Sequence, residues 1–394
     1  MTSPAGIDVA RARAETPGCQ DVLHFNNAGA SLMPQVVVEA VKQHLDLEAR
    51  IGGYEAADQA EHAWERVYDA AAALLGCSRD EIAIVENATR AWDMAFYAVP
   101  LAAGDRVLTA RAEYVSNYLA YLQVARKTGA SVEVIPSDAS GQVDVDALAR
   151  MMDGRVKLVS VTHVPSTGGL VNPIEEIGRL ARAGGALFLV DACQSAGQIP
   201  LDVDRIGCDM LSATGRKFLR GPRGTGLLYV RRTVLERLEP PFVDLQAAEW
   251  TSAGTYQWRA DARRFENWET SYAGKIGLAC AIDYALGWGL EAIQARTFAL
   301  AASLREQLGA LRGVRLHDLG VVKCGIVTFT VEGLDASAVR ASLLAQRMNT
   351  SVSRVEYARL DMEPRGLERM VRASVHYYNT EDEVERFAVA VAKL

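Results

Sequence analysis

Short apolar runs and amphipathic stretches alternate along the chain from about residue 81. "EIAIVE" reads as a strand and "ATRAWDMAFYAV" continues as a helix. "DRVLTA" leads into helical "SNYLAYLQVARKTG" and then strand-like "SVEVIP". "VKLVSVTHV" leads into "NPIEEIGRLARAGG" and then "ALFLVDA", with "DMLSAT" and "GTGLLYVRR" closing the series. Strands alternating with helices predict an α/β domain with a largely parallel sheet. The runs are almost continuously apolar, as strands are when helices cover both sheet faces. Gly129 and the Gly184-Gly185 pair mark helix ends. Asn172 and Pro173 predict a helix start, as N-cap and first helical residue.

Beyond about residue 270 the pattern changes. "AGKIGLACAIDYALGWG", "IQARTFALAASLREQLGAL" and "EDEVERFAVAVAKL" are helical, and "GIVTFTV" and "MVRASVHYY" are strand-like. The expected organisation is an N-terminal segment (1–20), a large α/β domain (21–270) and a smaller α+β C-terminal domain (271–394). A length of 394 residues allows two or three domains at roughly 100–200 residues each.

Composition narrows the function classes. Hydrophobic residues make up 49%, enough for a sizeable core. A net charge of −7 argues against nucleic acid as a partner. The longest apolar stretches, such as "GGALFLV", are too short to span a bilayer, and the N-terminus lacks the apolar run of a secretory signal. The six cysteines form no CxxC pair, so neither a metal site nor a disulfide framework is expected, and a cytoplasmic protein with reduced thiols is.

In open α/β sheets ligands bind outside the carboxyl ends of the strands, so residues following each apolar run carry the chemistry. Asp191 follows "ALFLV". Thr162, His163 and Ser166 follow "VKLVSV". Asn87, Ala88 and Thr89 follow "EIAIV" and open a helix whose free N–H groups suit a phosphate. Glu113, Tyr114 and Asn117 follow "DRVLTA", and Thr214, Arg216 and Lys217 follow "DMLSA". A carboxylate, a phosphate-binding helix start, a lysine and an aromatic ring together match pyridoxal 5′-phosphate. The lysine forms a Schiff base with the aldehyde, the carboxylate pairs with the pyridine nitrogen, and the ring stacks. His163 reads as a packed structural residue and Cys193 as a small buried one.

The segment "LVDACQSAGQIPLDVDRIGCDMLSATGRKFLRGPRGTGLLYV" resembles the class V aminotransferase and cysteine desulfurase family of fold-type I pyridoxal-phosphate enzymes. The resemblance extends from "LHFNNAGAS" to "VRASVHYYNTEDEV", almost the whole chain. It implies Lys217 as the Schiff-base lysine, Asp191 as the pyridinium partner and Gln194 near the ring hydroxyl. It places Ala88, Thr89, Thr214 and Arg216 on the phosphate, Ser166 at the family's asparagine position and Arg372 on the substrate carboxylate. Tyr114 stands where desulfurases carry a stacking histidine, and Thr270 where a partner subunit contributes to the phosphate site of a homodimer. Tyr54 either covers the substrate or packs a turn, and Arg354 either contacts substrate or is solvated. Arg220 and Arg223 are left as surface or interface residues.

Desulfurases of this family carry a mobile-loop cysteine, whereas "NTSVSRVEYARLDMEPRGLERMVRAS" has none. The expectation is therefore against a persulfide-forming cysteine desulfurase. "ARIGGYEAA", "AEYVSN" and "RFENWETSYAGKIGLACAIDYA" resemble ergothioneine-pathway C–S lyases and isopenicillin N epimerase-like proteins. They point to β-elimination from a cysteine conjugate or sulfoxide, giving pyruvate and ammonia. A class V aminotransferase and an amino-acid epimerase remain as alternatives.

Overall fold

The computed structural model describes residues 6–394, so the first five residues of the 1–20 segment lie outside it. Its centre is a seven-stranded sheet. The strands are β1 (Ile82–Val85), β2 (Arg106–Thr109), β3 (Ser131–Val134), β4 (Val156–Thr162), β5 (Leu187–Asp191), β6 (Met210–Thr214) and β7 (Gly226–Val230). Their order across the sheet is β1-β7-β6-β5-β4-β2-β3, and only β7 runs against the rest. β5 and β6 lie in the interior with every residue buried, which accounts for their unbroken apolar sequences.

Helices α1 (Gln35–Ile51), α2 (Glu61–Leu75), α3 (Ala88–Tyr97), α4 (Val115–Thr128), α5 (Ile174–Ala183) and α6 (Tyr272–Trp288) pack around this sheet. α6 lies against α1 and α2, and its Leu278 and Ile282 share a core with Leu211 and Leu227. α4 ends at Gly129, in the left-handed conformation at φ 80°, as the glycine signal predicts. α5 differs from the prediction at its start, since its N-cap is Pro173. Asn172 is drawn away: its amide donates to the Thr162 carbonyl (2.8 Å) and its Oδ1 accepts from Val143 N–H (3.1 Å).

Beyond residue 310 a four-stranded antiparallel sheet forms from β8 (Val314–Leu316), β9 (Ile326–Val331), β10 (Ser351–Arg354) and β11 (Arg369–Ser374), ordered β8-β9-β11-β10. Helices α7 (Leu290–Gly309), α8 (Ala336–Ala345) and α9 (Glu381–Ala392) cover it, with Leu304, Val339, Val371 and Phe387 in a common core. Leu23–His24 pairs in parallel with Met348–Asn349, tying the start of the chain to this part. Among the described residues no single helix is long and apolar enough to cross a membrane.

Candidate active site

The carboxyl ends of β1, β2, β4, β5 and β6 converge on one cavity of about 380 Å³. It brings together nine residues that the family resemblance assigns to the cofactor: Ala88, Thr89, Tyr114, Ser166, Asp191, Gln194, Thr214, Arg216 and Lys217. Asn87, Asn117, Thr162, Val164 and Cys193 complete the lining.

Two glycines let backbone approach closely here. A Cβ on Gly226 in β7 would stand 2.4 Å from the Asn87 carbonyl carbon, so only glycine admits the start of α3 against the sheet. Asn87 caps that helix, its Oδ1 accepting from Arg90 N–H (2.9 Å), which leaves the first-turn N–H groups facing the cavity side. Gly197 has φ +92°, and a Cβ there would lie 2.4 Å from the Phe218 backbone, so the turn after Gln194 seats directly on the segment carrying Lys217.

Asp191 ends β5 and is buried. Its Oδ1 accepts from Cys193 N–H (2.9 Å) and its Oδ2 from the Asn117 amide (3.0 Å). These bonds satisfy part of the carboxylate's capacity and fix its orientation. Burial pulls the Lys217 ammonium below the usual lysine range; Cys193 and Asp191 oppose this, while Arg216 and Arg372 add to it. Arg216 donates to the Gly29 carbonyl, and burial and Arg223 lower its pKa.

Arg372, on β11, reaches the site from behind. It donates to the Ser166 carbonyl (3.0 Å) and to Asn26 Oδ1 (3.3 Å), and burial together with Arg216 brings its pKa down to about 10. Tyr54 and Thr270 lie elsewhere, lining a separate hollow of about 390 Å³ with Leu45 and Trp268. Arg354 is exposed at the end of β10, in register with Arg369. His163 is buried, and the loss of water pulls its imidazole pKa down to about 3.

Arg220 requires a correction. It is neither a surface nor an interface residue but is 1% exposed, inside a cage of Tyr284, Tyr377 and Tyr378. It donates to the Leu32 carbonyl (2.9 Å), to Tyr377 Oη (2.6 Å) and to Thr16 Oγ1. These contacts hold it at φ 61°, a conformation costly for a residue with a Cβ.

The cavity's donor set suits a flat, phosphorylated, carbonyl-bearing ligand. Buried Gln194 Oε1 and Arg372 Nε have no hydrogen-bond partner among the described residues, and such atoms call for a polar ligand group. The start of α3, Thr214 and Arg216 could hold a phosphate, Asp191 a ring N–H and Lys217 an aldehyde carbon.

The family model for aminotransferase class V matches residues 23–387. The chain belongs to the class V aminotransferase family. A probable cysteine desulfurase of Xylella fastidiosa (strain 9a5c) is 33% identical over 407 residues, covering 99% of this chain and 96% of that protein. The apo structure of a cysteine desulfurase from Thermococcus onnurineus NA1 superposes with a TM-score of 0.91 at 30% identity, covering 100% of this chain and 99% of that one. A lysine-to-alanine mutant of C-DES, with glycine covalently linked to its pyridoxal-phosphate cofactor, shares the fold at 24% identity and a TM-score of 0.87, covering 97% and 99%. The cofactor of this class V enzyme is pyridoxal 5′-phosphate, in agreement with the sequence reading.

These relatives overturn the expectation of a β-elimination lyase and the exclusion of a cysteine desulfurase. That exclusion rested on one loop without a thiol. A loop cysteine is one source of the thiolate that attacks the sulfur as the C–S bond breaks, and a thiol from outside a chain is another. None of these three proteins carries the name of the ergothioneine or epimerase-like subgroup.

Proposed function

We propose that this enzyme is a cysteine desulfurase that takes sulfur from L-cysteine, leaves alanine and passes the sulfur to a thiol as a persulfide. The observation carrying this reading is the single cavity that joins Lys217, Asp191 and the start of α3 in a chain collinear with desulfurases. When bound, the cofactor supplies an electron sink conjugated to the substrate amine. Lys217 is the residue that would hold it covalently and then carry the Cα proton; burial lowers its pKa, which favours the free base that this task needs. Asp191 would keep a proton on the ring nitrogen, with Gln194 and Ser166 beside the ring and Tyr114 against its face. Ala88, Thr89, Thr214 and Arg216 would hold the phosphate. Arg372 grips the substrate carboxylate through its planar fork. Tyr54, Thr270 and the exposed Trp268 edge fit a homodimer, in which they serve the other subunit's site, and exposed Arg354 is the remaining candidate for a substrate contact.

The sulfur acceptor on this reading is a thiol from outside the chain. Burial pushes all six cysteine thiols up, to about 11 at Cys19 and about 12 at Cys77 and Cys324. Cys193 lines the cavity, yet burial and Asp191 keep it protonated, and it is the thiolate that attacks sulfur. Holoenzyme given L-cysteine and a small added thiol should form alanine and transferable sulfur in equal amounts. Turnover should stall without the thiol, and Cys193→Ala should still form alanine. Pyruvate in place of alanine would refute the reaction, and loss of transfer in Cys193→Ala would make Cys193 the acceptor.

A further inference from the structure

Directly behind Asp191 lies a second buried carboxylate, Glu113, which forms no ion pair among the described residues. Five donors converge on it. Oε1 accepts from Tyr114 N–H (2.7 Å), the Asn117 amide (3.0 Å) and Thr162 Oγ1; Oε2 accepts from Thr109 Oγ1 (3.0 Å) and, more distantly, Tyr121 Oη (3.4 Å). The same Asn117 nitrogen that donates to Glu113 also donates to Asp191 Oδ2 at 3.0 Å. One amide thus bridges two carboxylates inside the protein.

We propose that Glu113, Asn117 and Asp191 form one proton-sharing unit, in which Glu113 is a positioning residue that takes up and releases a proton behind Asp191, the carboxylate that faces the ring nitrogen. The proposal rests on the reading of Asp191 as the ring-nitrogen partner. Two carboxylates joined by a neutral amide and largely removed from water are costly to ionise together. Asp191 lines the cavity, where a ring N–H would share its charge, and Glu113 does not.

The groups facing Glu113 support that division. Asp191 on β5 and Tyr121 on α4 are its titratable neighbours in the core, and Thr109 and Thr162 reach it from β2 and β4. On the outer side Glu356, Tyr357 and Arg359 share with it a hollow of about 300 Å³. Burial raises the Glu113 pKa to about 7; the Thr162 bond opposes the rise and the Asp191 charge reinforces it. Loss of the Glu113 proton therefore adds one negative charge to the unit, and the ring nitrogen then holds its proton more firmly.

The test uses holoenzyme loaded with cofactor labelled with ¹⁵N at the ring, following that nitrogen's NMR shift across neutrality. Wild type should show an inflection near pH 7. Glu113→Gln keeps the shape and an acceptor oxygen but cannot ionise, so the inflection should vanish while the cofactor stays bound. Thr162→Val removes a bond that favours the ionised form and should move the inflection up by about one pH unit. A flat wild-type profile, or an inflection unchanged in both variants, would overturn the proposal. Alanine formation in the same wild-type sample separates the two readings: an inflection without desulfuration sinks the proposed reaction and leaves this unit standing.

Discussion

Two lysines lie away from bulk water in this protein, and burial lowers both of their pKa values. Lys275, on α6, is fully engaged. It donates to Tyr68 Oη (3.1 Å), stands 3.7 Å from Glu266 and lies 5.5 Å from the centres of the Trp64 and Tyr68 rings. Glu266 is anchored in turn by Tyr68 Oη and Ile84 N–H. Lys217 opens onto the cavity, and no ion pair or side-chain hydrogen bond holds its ammonium among the described residues. The two lysines therefore differ in what is left for them to bond. Lys275 has spent its donors on the fold, while Lys217 keeps its own for a ligand. Arg220, three residues from Lys217, makes the same point within one loop: its guanidinium is consumed by Thr16, Leu32 and Tyr377.

Substitutions can break this contrast, and the largest effect is expected at Lys217. Lys217→Ala should cut turnover by at least about 10³-fold and abolish the visible absorbance of the bound cofactor, with little change in thermal midpoint. A retained band would place the reactive lysine elsewhere. Lys275→Met should do the reverse. Removing one member of a buried pair costs about 3 kcal/mol, read as a lower thermal midpoint, while the surviving holoenzyme keeps its band. Arg220→Leu comes next, at about 2 kcal/mol, because the Leu32 carbonyl and two hydroxyls lose their partner. A loss of activity in Arg220→Leu without a loss of stability would move Arg220 from the fold into the chemistry.

The strands were legible because each is a short, nearly pure apolar run, and the strand ends were legible because polar residues interrupt those runs abruptly. Asp191, Gln194, Thr214, Arg216 and Lys217 fall within one contiguous segment, so short-range spacing was enough to nominate them, and one cavity collects them. What sequence could not reveal depends on distant partners. Arg220 reads as one cation of a basic loop, and its burial is decided by residues near positions 16, 32, 284 and 377. Asn172 looks like a helix cap until the Thr162 carbonyl and Val143 N–H compete for it. Tyr54 and Thr270, far apart in sequence, meet in a hollow away from Lys217 within the chain. The Glu113 network was half visible: its residues stood at one strand end, but the bridge through Asn117 needed coordinates. The reaction type was misjudged because a missing cysteine in one loop outweighed the residues at the strand ends.

The claim at the centre of this account is that Lys217, and not Lys275, is the lysine free for chemistry. Borohydride reduction of the holoenzyme, followed by peptide mapping, tests it most directly. The account predicts a phosphopyridoxyl adduct on the peptide carrying Lys217 and none on that carrying Lys275. An adduct on Lys275, or on no lysine, would contradict it.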